Sequence, residues 1–210
     1  RIPYGGGIGA VEHHSESPEA YFAHTAGLRV VTVANAVDAY WMIQQAIASD
    51  DPVVFFEPKR RYYDKADVDT TADLGSAAPM HTARVARPGQ DATLLAYGPM
   101  VKTALQAAQA DTEHDIEVID LRSLAPVDYD TITESVRRTG RLVIAHEAPV
   151  SHGVGAEIAA RVTESCFYHL EAPVIRVGAF DTPYPQSRLE EHYLPDLDRV
   201  LDGVDRAFTF

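Results

Sequence analysis

The chain has 210 residues, with 18 basic against 31 acidic side chains, a formal net charge of −13, 46% hydrophobic and 23% charged residues. That length buries a sizeable core in one or two domains, and its ordinary aromatic, glycine and proline usage argues against disordered, collagen-like and low-complexity chains. The acidic balance argues against nucleic acid as a partner, no apolar run reaches the ~20 residues of a membrane helix, and a lone Cys166 leaves no internal disulfide and points to a reducing, cytoplasmic setting.

RIPYGGG at the start has neither an initiator methionine nor a signal-peptide pattern, so further residues are expected before Arg1. Ser17-Pro18-Glu19-Ala20 predicts a helix start with a hydroxyl cap, a proline that needs no amide hydrogen and an acid at the positive helix end; Gly27 stops it. LRVVTV (28–33) predicts a strand, Asn35 caps a helix over 36–48, and the turn at 50–52 leads into strand VVFF (53–56). Residues 64–79 lose all apolar period and read as an interdomain linker. A second domain follows over 80–210.

Its predicted elements are a hairpin around Pro88-Gly89 joining ARVA to ATLLAY, a helix near 100–110, strand IEVIDL (116–121) and a helix from Asp128 to Gly140. Strand RLVIAH (141–146), a helix over 153–166, strand PVIRVG (173–178) and a last helix near 196–207 complete it. Alternating strands and helices predict an α/β fold with a mostly parallel, doubly wound sheet. The first 63 residues hold too few strands to cover both faces of such a sheet, and read as the second half of a domain.

Motif chemistry excludes more than it selects. No Gly-Lys pair exists for a phosphate loop, and Gly153 and Gly155 lack the third glycine of a dinucleotide fingerprint, which leaves close packing at a helix N-terminus. His146-Glu147 lacks a second histidine at zinc-binding spacing, and Cys166, with no adjacent His or Lys, reads as a small buried apolar residue. The glycine-rich stretch 4–24 holds His13 and His14 just before a capped helix. Histidine, with an ordinary pKa of about 6.5, exchanges protons near neutrality, although a surface histidine loop is the plainer reading.

Six segments are more specific: HHSESPEAYFAH (13–24), VVFFEPKRRYY (53–63), EVIDLRSLAPVD (117–128), GRLVIAHEAP (140–149), GVGAEIAARV (153–162) and DTPYPQSRLEEHYLPD (181–196). In order and spacing they resemble the beta subunit of the thiamine diphosphate-dependent 2-oxo acid dehydrogenase decarboxylase component, in its branched-chain (2-oxoisovalerate) form rather than the pyruvate form. The resemblance implies the C-terminal half of a pyrimidine-binding domain (1–63), then a transketolase-like C-terminal domain (80–210). It implies oxidative decarboxylation of branched-chain 2-oxo acids with acyl transfer to lipoyl groups. Pyruvate as substrate, a transketolase-like carbon transfer and a non-catalytic fragment with oligomerisation and docking surfaces are the alternatives.

The implied partners are an alpha subunit, a second beta subunit and the acyltransferase core, whose basic docking module an acidic surface suits. Thiamine diphosphate and Mg²⁺ are implied at the alpha/beta interface, with the glutamate that contacts the pyrimidine expected before Arg1 and the isolated chain therefore inactive. His14 matches the family's beta-subunit active-site histidine and is implied to protonate the departing lipoyl sulfur; His13 is the weaker match. The loop 46–51 resembles one whose carbonyls bind K⁺ in some relatives, which implies Ala46, Ser49 and Asp51 as ligands against the alternative of a plain turn. Asp120 and Arg122 read as structural and interface residues, with Arg122 an ion-pair partner.

Overall fold

Residues 1–210 are described by a computed structural model. The first elements are β1 (Ile2–Tyr4), α1 (Glu12–Ser15), α2 (Glu19–Ala23), β2 (Arg29–Thr32), α3 (Ala36–Ala48) and β3 (Val53–Pro58). After a stretch whose only regular pieces are 3₁₀ turns at Lys59–Arg61 and Leu74–Ser76 come β4 (Arg84–Arg87), β5 (Ala92–Ala96), α4 (Met100–Ala110), β6 (Ile116–Asp120) and β7 (Ser123–Ala125). Then follow α5 (Tyr129–Thr139), β8 (Leu142–Pro149), α6 (Val154–Cys166), β9 (Ile175–Ala179), α7 (Glu190–Tyr193) and α8 (Leu197–Ala207).

Local chemistry sets several helix ends. Asn35 Oδ1 accepts from the Asp38 amide at 2.9 Å, Asp128 Oδ1 from the Thr131 amide at 3.1 Å and Asp196 Oδ1 from the Arg199 amide at 2.9 Å. Gly140 ends α5 at φ 70, where a side chain would be strained. The expected Ser17 cap is not made: Pro18 takes the N-cap position with no side-chain bond, and α2 is only five residues long.

Two sheets result. The first has the order β1-β3-β2-β7, with β1, β3 and β2 parallel. Its edge strand β7 is antiparallel to β2 and comes from beyond β6, so residues 123–125 return to close the first sheet. In the second sheet, ordered β4-β6-β5-β8-β9, the last four strands are parallel and β4 is an antiparallel edge.

That order overturns the hairpin expected at Pro88-Gly89, because β6 lies between β4 and β5. All five residues of β6 are buried, whereas β4 reads Arg-Val-Ala-Arg and suits an edge where its charged ends reach water. Gly89 serves close approach instead. A Cβ there would lie 2.2 Å from the Glu117 amide nitrogen, so the chain passes tightly over the start of β6.

Successive strand residues face opposite layers. Leu94, Val118 and Val143 pack with Met100 and Ala104 of α4 and Val200 and Val204 of α8. Leu95, Ile119 and Ile144 pack with Ile132 and Val136 of α5 and Ile158 and Val162 of α6, so the sheet is wound on both faces. Tyr4, Val30 and Phe56 of the first sheet join this second layer, which makes the two sheets share one core. No helix is long and apolar enough to cross a membrane.

Candidate active site

The chain crosses from one side of β5 to the other between β6 and β8, so the carboxyl ends of β5 and β8 flank the topological switch point of the second sheet. Open α/β sheets place ligand crevices there. In this molecule the first sheet fills much of that crevice. Tyr4, at the end of β1, sits so close to Gly98, just after β5, that a Cβ on Gly98 would lie 2.1 Å from the tyrosine oxygen. Gly98 also adopts φ 53, and the Tyr4 hydroxyl pairs with Thr32 Oγ1 at 2.9 Å.

From β1 the chain runs through a loop containing Gly5, Gly6, Gly7 and Gly9 into α1, which carries His13 and His14. The loop is tied down by groups far away in sequence. The Gly6 amide donates to Glu147 Oε2 at 3.2 Å, and the Gly9 amide to Glu190 Oε2 at 2.8 Å. Tyr184 donates to Glu190 Oε1 at 2.5 Å, and Arg60 forms an ion pair with Glu147 at 2.7 Å. At the start of the loop the Gly5 amide donates to the carbonyl of Glu16, just beyond α1, at 3.1 Å, and Lys59 Nζ donates to the His14 carbonyl. His13 and His14 are exposed, with ring centroids 4.3 Å apart.

Directly after His14 the chain turns inward. Ser15 and Glu19 are buried, the Ser15 hydroxyl has no hydrogen-bond partner, and Tyr97 donates to Glu19 Oε1 at 2.8 Å. Burial pushes the Glu19 carboxyl up to about 7, opposed by its hydrogen bond from Tyr97 and reinforced by the nearby Glu147. Burial raises Glu147 too, with Arg60 pulling the other way. A cleft of about 420 Å³ opens beside these groups, walled by Ser15, Pro18, Glu147, His152, Tyr184 and Tyr193 among others. His13 and His14 stand outside its lining.

The remaining sequence candidates lie elsewhere. Ala46, Ser49 and Asp51 precede β3, at the end of the first sheet opposite His14, since β1 and β3 are parallel. Their carbonyl oxygens accept no hydrogen bond within the chain, while the Asp51 carboxylate pairs with Arg29 at 2.5 Å. Arg122 is buried, lies 3.4 Å from Asp38 and donates to the carbonyls of Pro79 and Thr82. Asp120 pairs with Arg84 at 3.0 Å. Cys166 is buried in the core at the end of α6. No group of three or more His, Cys, Asp or Glu side chains converges to hold a metal ion.

Lys59, Arg60, Glu147 and Glu190 were not singled out from the sequence as site residues. Glu147 had a usable signal, because it follows a strongly apolar run predicted as a parallel strand, where ligand groups gather. Glu190 had none, as 181 residues separate it from Gly9.

Residues 81–200 match the transketolase C-terminal domain family, and residues 1–65 match the transketolase pyrimidine binding domain. The chain is 58% identical to the pyruvate dehydrogenase E1 component subunit beta of Leifsonia xyli, over 100% of this chain and 62% of that protein. It is 54% identical to the 3-methyl-2-oxobutanoate dehydrogenase subunit beta of Mycobacterium tuberculosis, over 99% of this chain and 60% of that protein. Among solved structures, one described as "Split gene transketolase, inactive beta4 tetramer" superposes with a TM-score of 0.76 at 25% identity, covering 99% of this chain and 66% of the other. The chain thus spans about three fifths of the length of the curated relatives it matches. It belongs to the transketolase C-terminal domain family, in the form shared with the beta subunits of 2-oxo acid dehydrogenases.

Proposed function

We propose that this chain is part of the beta subunit of a thiamine diphosphate-dependent 2-oxo acid dehydrogenase, which oxidatively decarboxylates its substrate and passes the acyl group to a lipoyl group. The observation that carries this reading is the setting of His14: an exposed histidine on a short helix anchored where the two sheets meet. Thiamine diphosphate, when bound, supplies the stabilisation of negative charge that loss of CO₂ from a 2-oxo acid requires. The diphosphate and Mg²⁺ half of the site is proposed to come from the alpha subunit. Residues 1–63 are read as pyrimidine-binding, 64–79 as the connection and 80–210 as the C-terminal domain.

His14 holds the proton for the transfer step. As the acyl carbon bonds to one lipoyl sulfur, the S–S bond breaks, the disulfide is reduced, and the second sulfur leaves as a thiolate that takes its proton from His14. His14→Ala in the full-length subunit with its alpha partner is expected to slow acylation of a lipoyl domain about 10²-fold or more, and decarboxylation far less. Equal losses in both half-reactions would remove His14 from this role.

Pyruvate is the first substrate proposed, ahead of branched-chain acids, because the relative named for pyruvate is 58% identical and the one named for 3-methyl-2-oxobutanoate 54%. Assays with both acids at matched concentration decide between them. The acyltransferase core and a second beta subunit are the further proposed partners, the cytoplasm is the proposed setting, and the free carbonyls of Ala46, Ser49 and Asp51 are the proposed K⁺ ligands. A second reading, a chain that assembles without chemistry, is favoured by the solved neighbour described as an inactive tetramer. Turnover on addition of an alpha subunit would exclude it.

A further inference from the structure

We infer that Glu147 and Glu190 form a two-point clamp that positions His14 from the second domain, an inference that rests on the proton-transfer role proposed for that histidine. The loop between β1 and α1 carries four glycines, and Gly5, Gly7 and Gly9 all adopt positive φ, so little in its own sequence fixes where α1 lies. Two buried carboxylates supply what the loop lacks. Glu147, 3% exposed, takes the Gly6 amide, and Glu190, 5% exposed, takes the Gly9 amide.

Each carboxylate is itself held. Arg60 at 2.7 Å and the end of β8 fix Glu147, while the Tyr184 hydroxyl at 2.5 Å fixes Glu190. Their acceptor oxygens therefore stand at set points before the loop arrives. Hydrogen bonds from backbone amides to carboxylates are charge-assisted, and the low dielectric of a buried site strengthens them. Position matters because a misplacement of about 1 Å can cost on the order of 10²-fold in rate. Neither glutamate lies on the first sheet, so the second domain holds the helix that bears His14 while His14 itself comes from the first.

The test uses the full-length subunit assembled with its alpha partner and compares Glu190→Ala, Glu190→Gln and Glu147→Ala with the parent. Gln keeps a carbonyl acceptor for the Gly9 amide, whereas Ala removes it. Amide hydrogen exchange over residues 5–16 is expected to accelerate about tenfold in both Ala variants, the size of one charge-assisted hydrogen bond, and to stay near the parent in Glu190→Gln. Lipoyl acylation is expected to fall about tenfold in the Ala variants and to recover in Glu190→Gln. Should Glu147→Ala fail to fold, the Glu190 pair carries the test alone.

Unchanged exchange in Glu190→Ala would overturn the clamp, and so would faster exchange with full acylation, since the loop would then be held without positioning His14. Failure of the functional reading looks different. In that case the parent enzyme itself shows no lipoyl acylation, or His14→Ala leaves it intact, while the exchange data still report whether the loop is clamped.

Discussion

Two groups of charge built on buried carboxyls join the first sheet to the second, and they balance differently. At the end of β6, Asp38 and Asp120 share Arg84 at 2.8 and 3.0 Å, and Arg122 faces Asp38 at 3.4 Å, giving two acids for two cations. Around the switch point, Glu19, Glu147 and Glu190 are all buried and only Arg60 pairs with any of them. Equal charges suit a fixed joint. Around the switch point the acids outnumber the cations, and burial pushes the Glu19 carboxyl up to about 7. In the balanced group Asp120 is likewise pushed up to about 7, chiefly by burial, with Arg84 and Arg122 opposing the rise and Asp38 adding to it.

The largest break in this comparison is Arg122→Ala. The guanidinium is 2% exposed, faces Asp38 and satisfies carbonyls of residues 79 and 82, so its removal strands several buried groups at once. A loss of about 3–5 kcal/mol in urea unfolding is expected. Arg60→Ala should cost less, because Glu147 can take up a proton when its partner goes. A larger loss for Arg60→Ala than for Arg122→Ala would reverse the assignment of joint and site.

The next effect appears in the pH dependence of stability. Burial raises Glu19 from its ordinary 4.5 to about 7, so between those values the folded state binds more protons than the unfolded chain. Stability from this group is therefore full below about 4.5 and is lost as pH rises toward about 7, on the order of 3 kcal/mol across the window. His146 acts in the opposite sense: burial lowers it to about 4, so its contribution is lost as pH falls below its ordinary 6.5. Glu19→Gln, which keeps the acceptor for Tyr97, isolates the first contribution. Unfolding free energies of parent and variant that run parallel from pH 4.5 to 8 would show that Glu19 stays ionised.

Much of this arrangement was readable from local sequence, and what was not has a physical reason. Asn35, Asp128, Asp196 and Gly140 act at helix ends through bonds to neighbours three or four residues away, so their signals are local. The apolar runs of β5, β6 and β8 are equally plain because both faces are buried. Strands β1 and β7 have three residues each and gain their place only by pairing with distant partners. Pro88-Gly89 misled because a turn and a close backbone approach use the same residue. At the site, His14 was found by resemblance, but the carboxylates that hold its loop act across 141 and 181 residues and leave no mark in any short window.

A smaller effect probes the packing behind Glu147. The neighbouring His146 ring is fully buried, and a Cβ on Gly155 would lie 2.7 Å from its Nε2 and 2.9 Å from its Cδ2. Gly155 thus packs closely at the start of α6. Gly155→Ala is expected to cost about 1–3 kcal/mol and to disturb β8 beneath the loop. An unchanged melting temperature would mean that the His146 ring has room to move aside.

The smallest expected effect belongs to Asp51, at the far end of the first sheet. Its pair with Arg29 is exposed by 36% and 52%, so Asp51→Asn should cost less than about 1 kcal/mol, and less still in high salt. The same variant sharpens the proposed K⁺ site. With the carboxylate engaged by Arg29, Asp51 has only its carbonyl to offer a cation, and the substitution leaves that carbonyl in place. Any gain in melting temperature on exchanging Na⁺ for K⁺ should therefore be the same in parent and variant. A gain present in the parent and abolished in Asp51→Asn would bring the carboxylate into the ion site and require Arg29 to release it; no gain in either would leave residues 46–51 a plain turn between helix and strand.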